Sequence, residues 1–209
     1  MTAKSRTTRQ ETERGRKSAE IKDEALRLFA TKGYEGTTLE DIAVELGYAK
    51  TSLYYYFPSK EAIVKALISD SMNEASARMD RLFERSTNPV ENLRDLIGNY
   101  IDDADSQRSF FQIHHHVGHF MDSILSAEER LEMALKMREM NDKILGLVRR
   151  GIEDGHYWSM DPQVLAEMLL GMLGGLMSPS AFGKGFDRQA MKQQIITILI
   201  NGILKREGI

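Results

Sequence analysis

The chain of 209 residues contains no cysteine and only four prolines. The absence of cysteine excludes disulfides, thiolate metal sites and cysteine nucleophiles, and it agrees with a reducing compartment, so we expect a cytoplasmic protein. The N-terminus is polar and basic, unlike a secretory signal. The longest nearly apolar stretch, residues 164–177, is shorter than the ~20 residues of a membrane helix, so we expect no membrane partner.

Strand-like alternation of apolar and polar residues is also missing, whereas helical spacing recurs along nearly the whole chain. Gly33 stands where the first helix would end. The apolar face of that helix consists of Ile21, Ala25, Leu28 and Phe29. The sequence therefore predicts an all-α fold of about nine helices: an N-terminal three-helix domain followed by a C-terminal helical bundle.

Several helix boundaries are predicted from capping residues. A single helix is expected over residues 107–121 and a loop over residues 178–186. The expected N-terminal caps are Thr38 with Asp41, Asn88 before Pro89, Ser126 with Glu129, Asp161 before Pro162, and Asp187.

Charge is unevenly distributed along the chain, whose formal net charge is −3. Residues 1–17 carry a net +4, and we expect them to form a flexible basic arm. We place a helix-turn-helix domain at residues 18–65 and the bundle at residues 66–209. A basic arm on an acidic protein is a weak indication of nucleic-acid binding, because most such arms are simply solvated.

Residues 38–57 have the spacing of a helix-turn-helix, with Gly47 at the reversal. If Leu53 faces the core, helical geometry turns Tyr54 and Tyr55 outward together with Lys50 and Thr51. Exposed neighbouring tyrosines are consistent with binding to a DNA duplex, because flat rings can pack against the backbone and the thymine methyls. The alternative is a helical hairpin whose tyrosines pack beneath the next domain, which would not explain the adjacent lysine and threonine.

The residues of this segment resemble the DNA-binding signature of the TetR/AcrR transcriptional regulators. The pattern reads Gly33-Tyr34-x-x-Thr37-Thr38-Leu39-x-x-Ile42-Ala43-x-x-Leu46-Gly47, then Lys50-x-x-Leu53-Tyr54-Tyr55-Tyr56-Phe57-Pro58-Ser59-Lys60-Glu61. The resemblance implies a ligand-responsive repressor: its recognition helix begins near Lys50, and its C-terminal helices bind a small inducer and form a homodimer. Family members often have Val-Ser-Lys-Gly-Thr where this chain has Tyr-Ala-Lys-Thr-Ser at residues 48–52.

The DNA partner is expected to be a palindromic double-stranded operator. The start of the recognition helix would meet base edges, and the tyrosines would meet the backbone and thymine methyls. Thr38 can cap its helix or bind a phosphate, and Lys60 is expected at a phosphate near a helix N-terminus. The predicted DNA-binding residues are Thr38, Lys50, Thr51, Ser52, Tyr54, Tyr55 and Lys60.

Twelve methionines are a high count, and most follow residue 70. Methionine fills ordinary cores and also adapts to varied ligands, and the family resemblance favours an apolar effector cavity. Pocket composition and family habit suggest an apolar compound or an acyl thioester as the effector. The predicted lining is Met72, Phe111, His115, His119, Met137, Met140, Met168 and Met172.

Four histidines between residues 114 and 119 invite a metal interpretation, but two histidines on one turn are too few for a closed site. A single Glu-x-x-His, with no second copy, does not make a di-iron bundle. We therefore expect no metal, no cofactor and no enzymatic activity. A helical adaptor that binds other proteins is a further alternative, but it does not explain the lysine, threonine and tyrosine side chains of residues 50–60.

The last two helices are apolar around most of their circumference, although a surface helix needs only one apolar stripe. Burial within one subunit and a symmetric four-helix dimer interface both explain this pattern, and the resemblance favours the dimer. The predicted interface residues are Leu170, Gly174, Ile196 and Ile200.

Overall fold

The structure, a computed structural model, describes residues 3–103, 110–177 and 188–203. Within these ranges the chain is helical and contains no strand, which confirms the all-α prediction. In the same ranges, nine α-helices have seven residues or more. A tenth α-helix has only four residues, and a 3-10 turn, Gly118–Phe120, lies directly before it. The α-helices are α1 (Ala3–Lys32), α2 (Leu39–Glu45), α3 (Lys50–Tyr56), α4 (Lys60–Arg85), α5 (Pro89–Asp103), α6 (Phe110–Val117), α7 (Met121–Ile124), α8 (Ala127–Glu153), α9 (Pro162–Met177) and α10 (Arg188–Ile203).

The chain divides into two compact units. The first comprises Met1–Asp70 and Ile113–Leu125, and the second comprises Ser71–Gln112 and Ser126–Ile209. The boundary lies inside α4, close to the one expected after residue 65, and α4 therefore contributes to both units. The assignment of Ile113–Leu125 to the first unit was not anticipated from the sequence.

The first unit is built on the predicted apolar face of α1. Ile21, Ala25, Leu28 and Phe29 are all at most 2% exposed. Gly33 follows α1 with φ +78°, the left-handed backbone that glycine adopts without a Cβ penalty, and its N–H donates to the Phe29 carbonyl at 3.1 Å. The local sequence therefore ends this helix where expected.

The beginning of α1 differs from the expected flexible arm over residues 1–17, because the helix extends back to Ala3. This segment contains no proline, and it carries opposite charges at helical spacing. Arg16 pairs with Glu20, and Lys17 pairs with Glu13 at 3.5 Å. Such i,i+4 pairs each stabilise a helix by about 0.2–0.5 kcal/mol, so a charge run rich in helix formers can continue the helix into the basic segment.

The prediction of a single helix over residues 107–121 is wrong beyond Val117. Residues 104–109 lie outside the described part of the chain, and α6 ends at Val117. Gly118, a poor helix former, begins the 3-10 turn, and a Cβ there would lie 3.0 Å from the His114 ring. The predicted loop over residues 178–186 and the Asp187 cap also lie outside the described residues.

The second unit packs α8, α9 and α10 around α5. Each of the four helices contributes buried residues to one hydrophobic cluster. Within the described residues no helix, α9 included, is both long and apolar enough to cross a membrane. The cluster includes Leu93, Leu96, Ile97, Ile144, Leu147, Val148, Leu165, Leu169, Leu173, Ile196, Leu199 and Ile200.

Tyr157 is a buried member of this cluster. Its ring is 1% exposed, its hydroxyl donates to the Pro89 carbonyl at 2.7 Å, and burial raises the pKa of the phenol. The ring lies directly against Gly151 of α8, where an added Cβ would approach a ring carbon to 2.0 Å. The absence of a side chain at Gly151 is therefore what admits the tyrosine.

We expect Gly151→Ala to lower the free energy of unfolding by about 1–3 kcal/mol, because overpacking a buried ring costs more than the ~1 kcal/mol that alanine gains over glycine in a helix. Gly146→Ala, on the same helix but with no atom within 4 Å of the added Cβ, is the matched control and should raise it slightly. Urea denaturation of both variants checks the pair. Equal stabilisation by both substitutions would contradict the packing described for Tyr157.

Candidate DNA-binding surface and ligand cavity

The hairpin of α2 and α3 begins with a complete capping box. The Thr38 hydroxyl accepts the Asp41 backbone N–H at 3.1 Å, and the Asp41 carboxylate accepts the Thr38 N–H at 2.9 Å. Hydrogen bonds from the Thr38 hydroxyl and backbone, together with Lys32, lower the pKa of Asp41 to about 2. The predicted capping role of Thr38 is confirmed. A phosphate contact by its hydroxyl stays a prediction.

The turn between the two helices places one face of α3 outward. Gly47 has φ +66°, which permits the reversal after α2. Leu53 is fully buried, and Tyr55 is 69% exposed. The structure therefore orients α3 as the helical spacing predicts. The exposed residues of this face are Lys50, Thr51, Ser52, Tyr54 and Tyr55.

Two of these side chains share a partner that the sequence analysis did not identify. Glu40, in the first turn of α2, pairs with the Lys50 ammonium and accepts a hydrogen bond from the Tyr54 hydroxyl at 3.2 Å. The Lys50 hydrogen bond lowers the pKa of Glu40, and Glu40 in turn raises the pKa of Lys50. The sequence could have pointed to Glu40, because this residue stands in the first turn of α2 next to Asp41. Asp41 already forms the capping box, so the capping box does not need the Glu40 carboxylate.

The basic part of α1 lies beside the recognition-helix candidate within the first unit. The Arg14 guanidinium is 5.6 Å from the Tyr55 ring centroid. A mostly polar cleft between the two helices is lined by Lys17, Tyr48, Thr51 and Ser52, among others. This arrangement brings cations from α1 to the same surface as the exposed hydroxyls of α3.

Lys60 has a partner within the chain. Its ammonium donates to the Tyr34 carbonyl at 2.6 Å and lies 4.0 Å from the Tyr34 ring centroid. The Tyr34 hydroxyl donates to Glu61 at 3.2 Å, and its ring is 4.9 Å from that of Phe120. Lys60 thus holds the turn that follows α1, and its predicted phosphate contact stays a prediction. No sequence pattern indicates this bond, because its partner is a backbone carbonyl.

The second unit contains a cavity of about 100 Å³ between α4, α5 and α8. Among the predicted lining residues, Met72, Met137 and Met140 line this cavity. Arg78 is the single charged side chain among the described residues that line it, and it also pairs with Glu74 at 2.8 Å. The other lining residues are apolar Ala75, Met79, Leu82 and Leu96, and polar Asn99, Tyr100 and Asn141.

Four of the other predicted pocket residues do not line this cavity. Met168 and Met172 are 54% and 45% exposed on α9, and His115 and His119 belong to the first unit. The Phe111 side chain lies outside what the structure describes. Helical spacing alone did not show which apolar faces meet, which is why the sequence analysis grouped these two methionines and two histidines with the pocket.

The histidine segment is anchored by apolar residues at helical spacing. Ile113, Val117, Met121 and Ile124 are at most 7% exposed and form its buried stripe. Partial burial, and to a lesser degree His115, lowers the pKa of His116. Across the ranges that the structure describes, no three histidine, aspartate or glutamate side chains come together as a metal site would require.

Two of the four residues predicted at the dimer interface face the core of their own unit. Ile196 and Ile200 are 6% and 3% exposed within the single chain, and Leu170 packs against the same cluster. Gly174 is half-buried. Ile196 and Ile200 therefore need correction as interface candidates, because apolar residues are distributed around α10 and the sequence did not distinguish its inner face from its outer one. The interface role of Leu170 and Gly174 stays a prediction. Among the side chains of α9 and α10 that the structure describes, the large apolar ones that are exposed are Val164, Met168, Met172 and Ile198.

Residues 21–67 match the family model described as bacterial regulatory proteins, tetR family. The chain is also similar to the HTH-type transcriptional repressor KstR2 of Mycobacterium tuberculosis. The identity is 26% over 197 residues, which cover 91% of this chain and 94% of KstR2. The segment that matches the family model, residues 21–67, contains the whole α2–α3 hairpin.

Solved structures of such regulators have the same fold. PfmR, a TetR family regulator of Thermus thermophilus, aligns with a TM-score of 0.73 and 26% identity over 89% of this chain and 99% of PfmR. AibR, solved with isovaleryl coenzyme A and operator DNA, aligns with a TM-score of 0.70 and 23% identity over 88% of this chain and 97% of AibR. The exposed face of α3, the family match over residues 21–67 and these structural neighbours lead to one conclusion. The chain belongs to the TetR/AcrR family of transcriptional regulators.

Proposed function

We propose that this protein is a homodimeric repressor that binds a palindromic operator and leaves it when a small, largely apolar effector occupies the cavity of the second unit. The observation that carries the proposal is that the single helix α4 belongs to both units. This helix begins in the unit that presents α3 and continues into the unit where it lines the methionine-rich cavity. KstR2 is named a transcriptional repressor, which supports repression as the mode of action.

DNA recognition would use the outer face of α3. Lys50, Thr51 and Ser52 form its N-terminal turn, the part of a recognition helix that meets base edges in the major groove. Tyr54 and Tyr55 would contact the backbone and thymine methyls. The net +4 of residues 1–17 would supply salt-dependent attraction by displacing counterions condensed on the phosphates.

The effector class follows from the cavity lining. Four methionines, two leucines and one alanine offer an adaptable apolar surface, and the polar contribution comes from two carboxamides, one phenol and Arg78. This lining suits a short hydrocarbon group attached to a polar or anionic portion. An acyl thioester has that chemistry, and AibR was solved with isovaleryl coenzyme A.

Dimerisation would use the exposed faces of α9 and α10. Val164, Met168 and Met172 follow one another at intervals of four residues and are 45–54% exposed, and Ile198 is 68% exposed. Exposed apolar rows of this kind commonly mark interfaces. A twofold dimer of this chain would place two copies of α3 about one DNA turn, ~34–36 Å, apart, so the operator should be an inverted repeat.

Selection of DNA from a random duplex pool, followed by mobility shifts on the enriched sequence, tests this function. We expect an inverted repeat to be enriched, and isovaleryl coenzyme A to release the protein where free coenzyme A does not. A typical coupling of ~1–3 kcal/mol would lower operator affinity about 5–150-fold. Enrichment of no sequence would overturn the DNA-binding proposal. Enrichment with no release by any of a series of acyl thioesters would overturn the effector class alone.

A further inference from the structure

The α2–α3 hairpin is acidic although it is the candidate DNA-binding element. Residues 38–57 contain three carboxylates and one lysine, a net charge of −2. Two of the carboxylates are paired with cations of α1: Asp41 with Lys32 at 3.3 Å and Glu45 with Arg27 at 2.9 Å. Glu40 alone among these three carboxylates is paired with α3.

Glu40 binds two side chains of the recognition-helix candidate through one carboxylate oxygen. Its Oε1 pairs with the Lys50 ammonium and accepts the Tyr54 hydroxyl at 3.2 Å. The Lys50 ammonium also lies 5.7 Å from the centroid of the Tyr54 ring. The three side chains thus hold one another on the outer face of the hairpin, where the side chain of Glu40 is 43% exposed and that of Lys50 is 62% exposed.

The cap of α2 does not depend on Glu40. Thr38 and Asp41 already satisfy the first turn through the capping box. An exposed ion pair such as Glu40–Lys50 also contributes little to folding, because solvent screens it and the side chains lose rotamer freedom. The helix dipole favours a carboxylate in the first turn of α2, and the backbone N–H of Glu40 helps to lower the pKa of its side chain. Neither effect accounts for the contacts of this carboxylate with Lys50 and Tyr54 of α3.

We propose that Glu40 is a specificity-determining residue of the DNA-binding surface. On DNA of arbitrary sequence, Lys50 must leave Glu40 to reach a phosphate, and the freed carboxylate then faces the same polyanion, so binding through phosphates alone is opposed. On the correct sequence, base edges replace Glu40 as the partner of Lys50, and the DNA backbone replaces it as the partner of Tyr54. Discrimination arises because the wrong sites are penalised, not only because the right site is favoured. This assignment rests on the proposed function, since it requires the hairpin to bind DNA.

Substitution of Glu40 by glutamine in the full-length protein tests the assignment. The two probes are the duplex that the wild-type protein enriches from a random pool and a shuffled duplex of the same composition, measured by fluorescence anisotropy over a range of NaCl concentrations. We expect Glu40→Gln to bind the shuffled duplex about threefold to tenfold more tightly, with the slope of log affinity against log salt steeper by about 1, as one additional phosphate contact requires. Affinity for the enriched duplex should change less, so the specificity ratio falls.

Glu45→Gln is the matched control, because it removes the same charge from the same helix but leaves Lys50 paired with Glu40. The cation that loses a partner is Arg27 of α1, which stays paired with Glu24 at 2.5 Å. We expect it to change both affinities by an equal factor of less than about two. Glu40→Asp keeps the charge and should retain most of the wild-type specificity ratio. Circular dichroism checks that each variant is folded.

Three outcomes would overturn the assignment. Equal behaviour of Glu40→Gln and Glu45→Gln would show a general charge effect, and loss of both DNAs by Glu40→Gln would show that Glu40 attracts DNA or maintains the surface. A specificity ratio lost equally in Glu40→Asp and Glu40→Gln would show that the charge is not the cause. Failure of the wild-type protein to enrich any sequence would instead remove the proposed function, and this assignment with it.

Discussion

Replacing Met168 by glutamate should leave the protein folded but monomeric, and should lower its affinity for the enriched inverted repeat by at least about 100-fold, the lower end of what bivalent engagement contributes. Met168 is 54% exposed in the single chain, so the substitution buries no charge within its own subunit. In the proposed dimer it would place an unpaired carboxylate in an apolar interface, which is strongly unfavourable. Light scattering measures the oligomeric state, and fluorescence anisotropy measures the DNA affinity.

Leu131→Glu provides the control for this experiment. Leu131 is 61% exposed on α8, so the change in charge and polarity is the same but lies outside the exposed row of α9. We expect this variant to remain dimeric and to bind DNA as the wild-type protein does. A dimer that survives Met168→Glu, or a monomer produced by Leu131→Glu, would place the interface on a different surface.

Replacing Ala75 by phenylalanine should abolish the response to effector while leaving effector-free DNA affinity within about twofold of wild type. Ala75 lines the cavity from α4, and a benzyl group there would occupy much of a space of about 100 Å³. Because an effector can shift the equilibrium only through its differential affinity for the two states, exclusion from the cavity removes the whole effect of about 5–150-fold that such coupling commonly produces. Titration of isovaleryl coenzyme A against the DNA complex measures the loss.

Ala77→Phe is the matched substitution, since Ala77 lies on the same helix and is not among the residues described as lining the cavity. We expect it to retain most of the effector response. A full response in Ala75→Phe would move the effector site out of this cavity, whereas loss of DNA binding without effector would show that the phenylalanine alone shifts the conformational equilibrium.

The elements that could be predicted from sequence are those whose cause is local. Thr38 with Asp41 and Ser126 with Glu129 form the expected capping boxes, because each cap involves only residues three apart. Asn88 likewise accepts the Val90 N–H at 2.9 Å before α5. The exposed face of α3 was also predictable, since one buried leucine fixes the orientation of a two-turn helix.

The elements that could not be predicted depend on which faces meet. Ile196 and Ile200 were placed at an interface although they face their own core, because apolar residues are distributed around α10 and their periodicity then does not indicate which face is buried. His115 and His119 were placed in the effector cavity although Ile113 and Val117 bury their segment in the first unit. Both errors have one physical origin, since burial is decided by contacts distant in sequence.

The unit boundary inside α4 has a consequence for how such regulators can be recombined. This helix contains no glycine or proline between Lys60 and Arg85, and the division between Asp70 and Ser71 falls in its middle. Each inserted or deleted residue at that junction would turn all later side chains by about 100° around the helix axis. A chimaera that joins the first unit to the sensor domain of another regulator must therefore be cut within α4 and must keep the helical phase. Its junction is chosen by the rotation angle around the helix axis, whereas most fusions are joined at a loop.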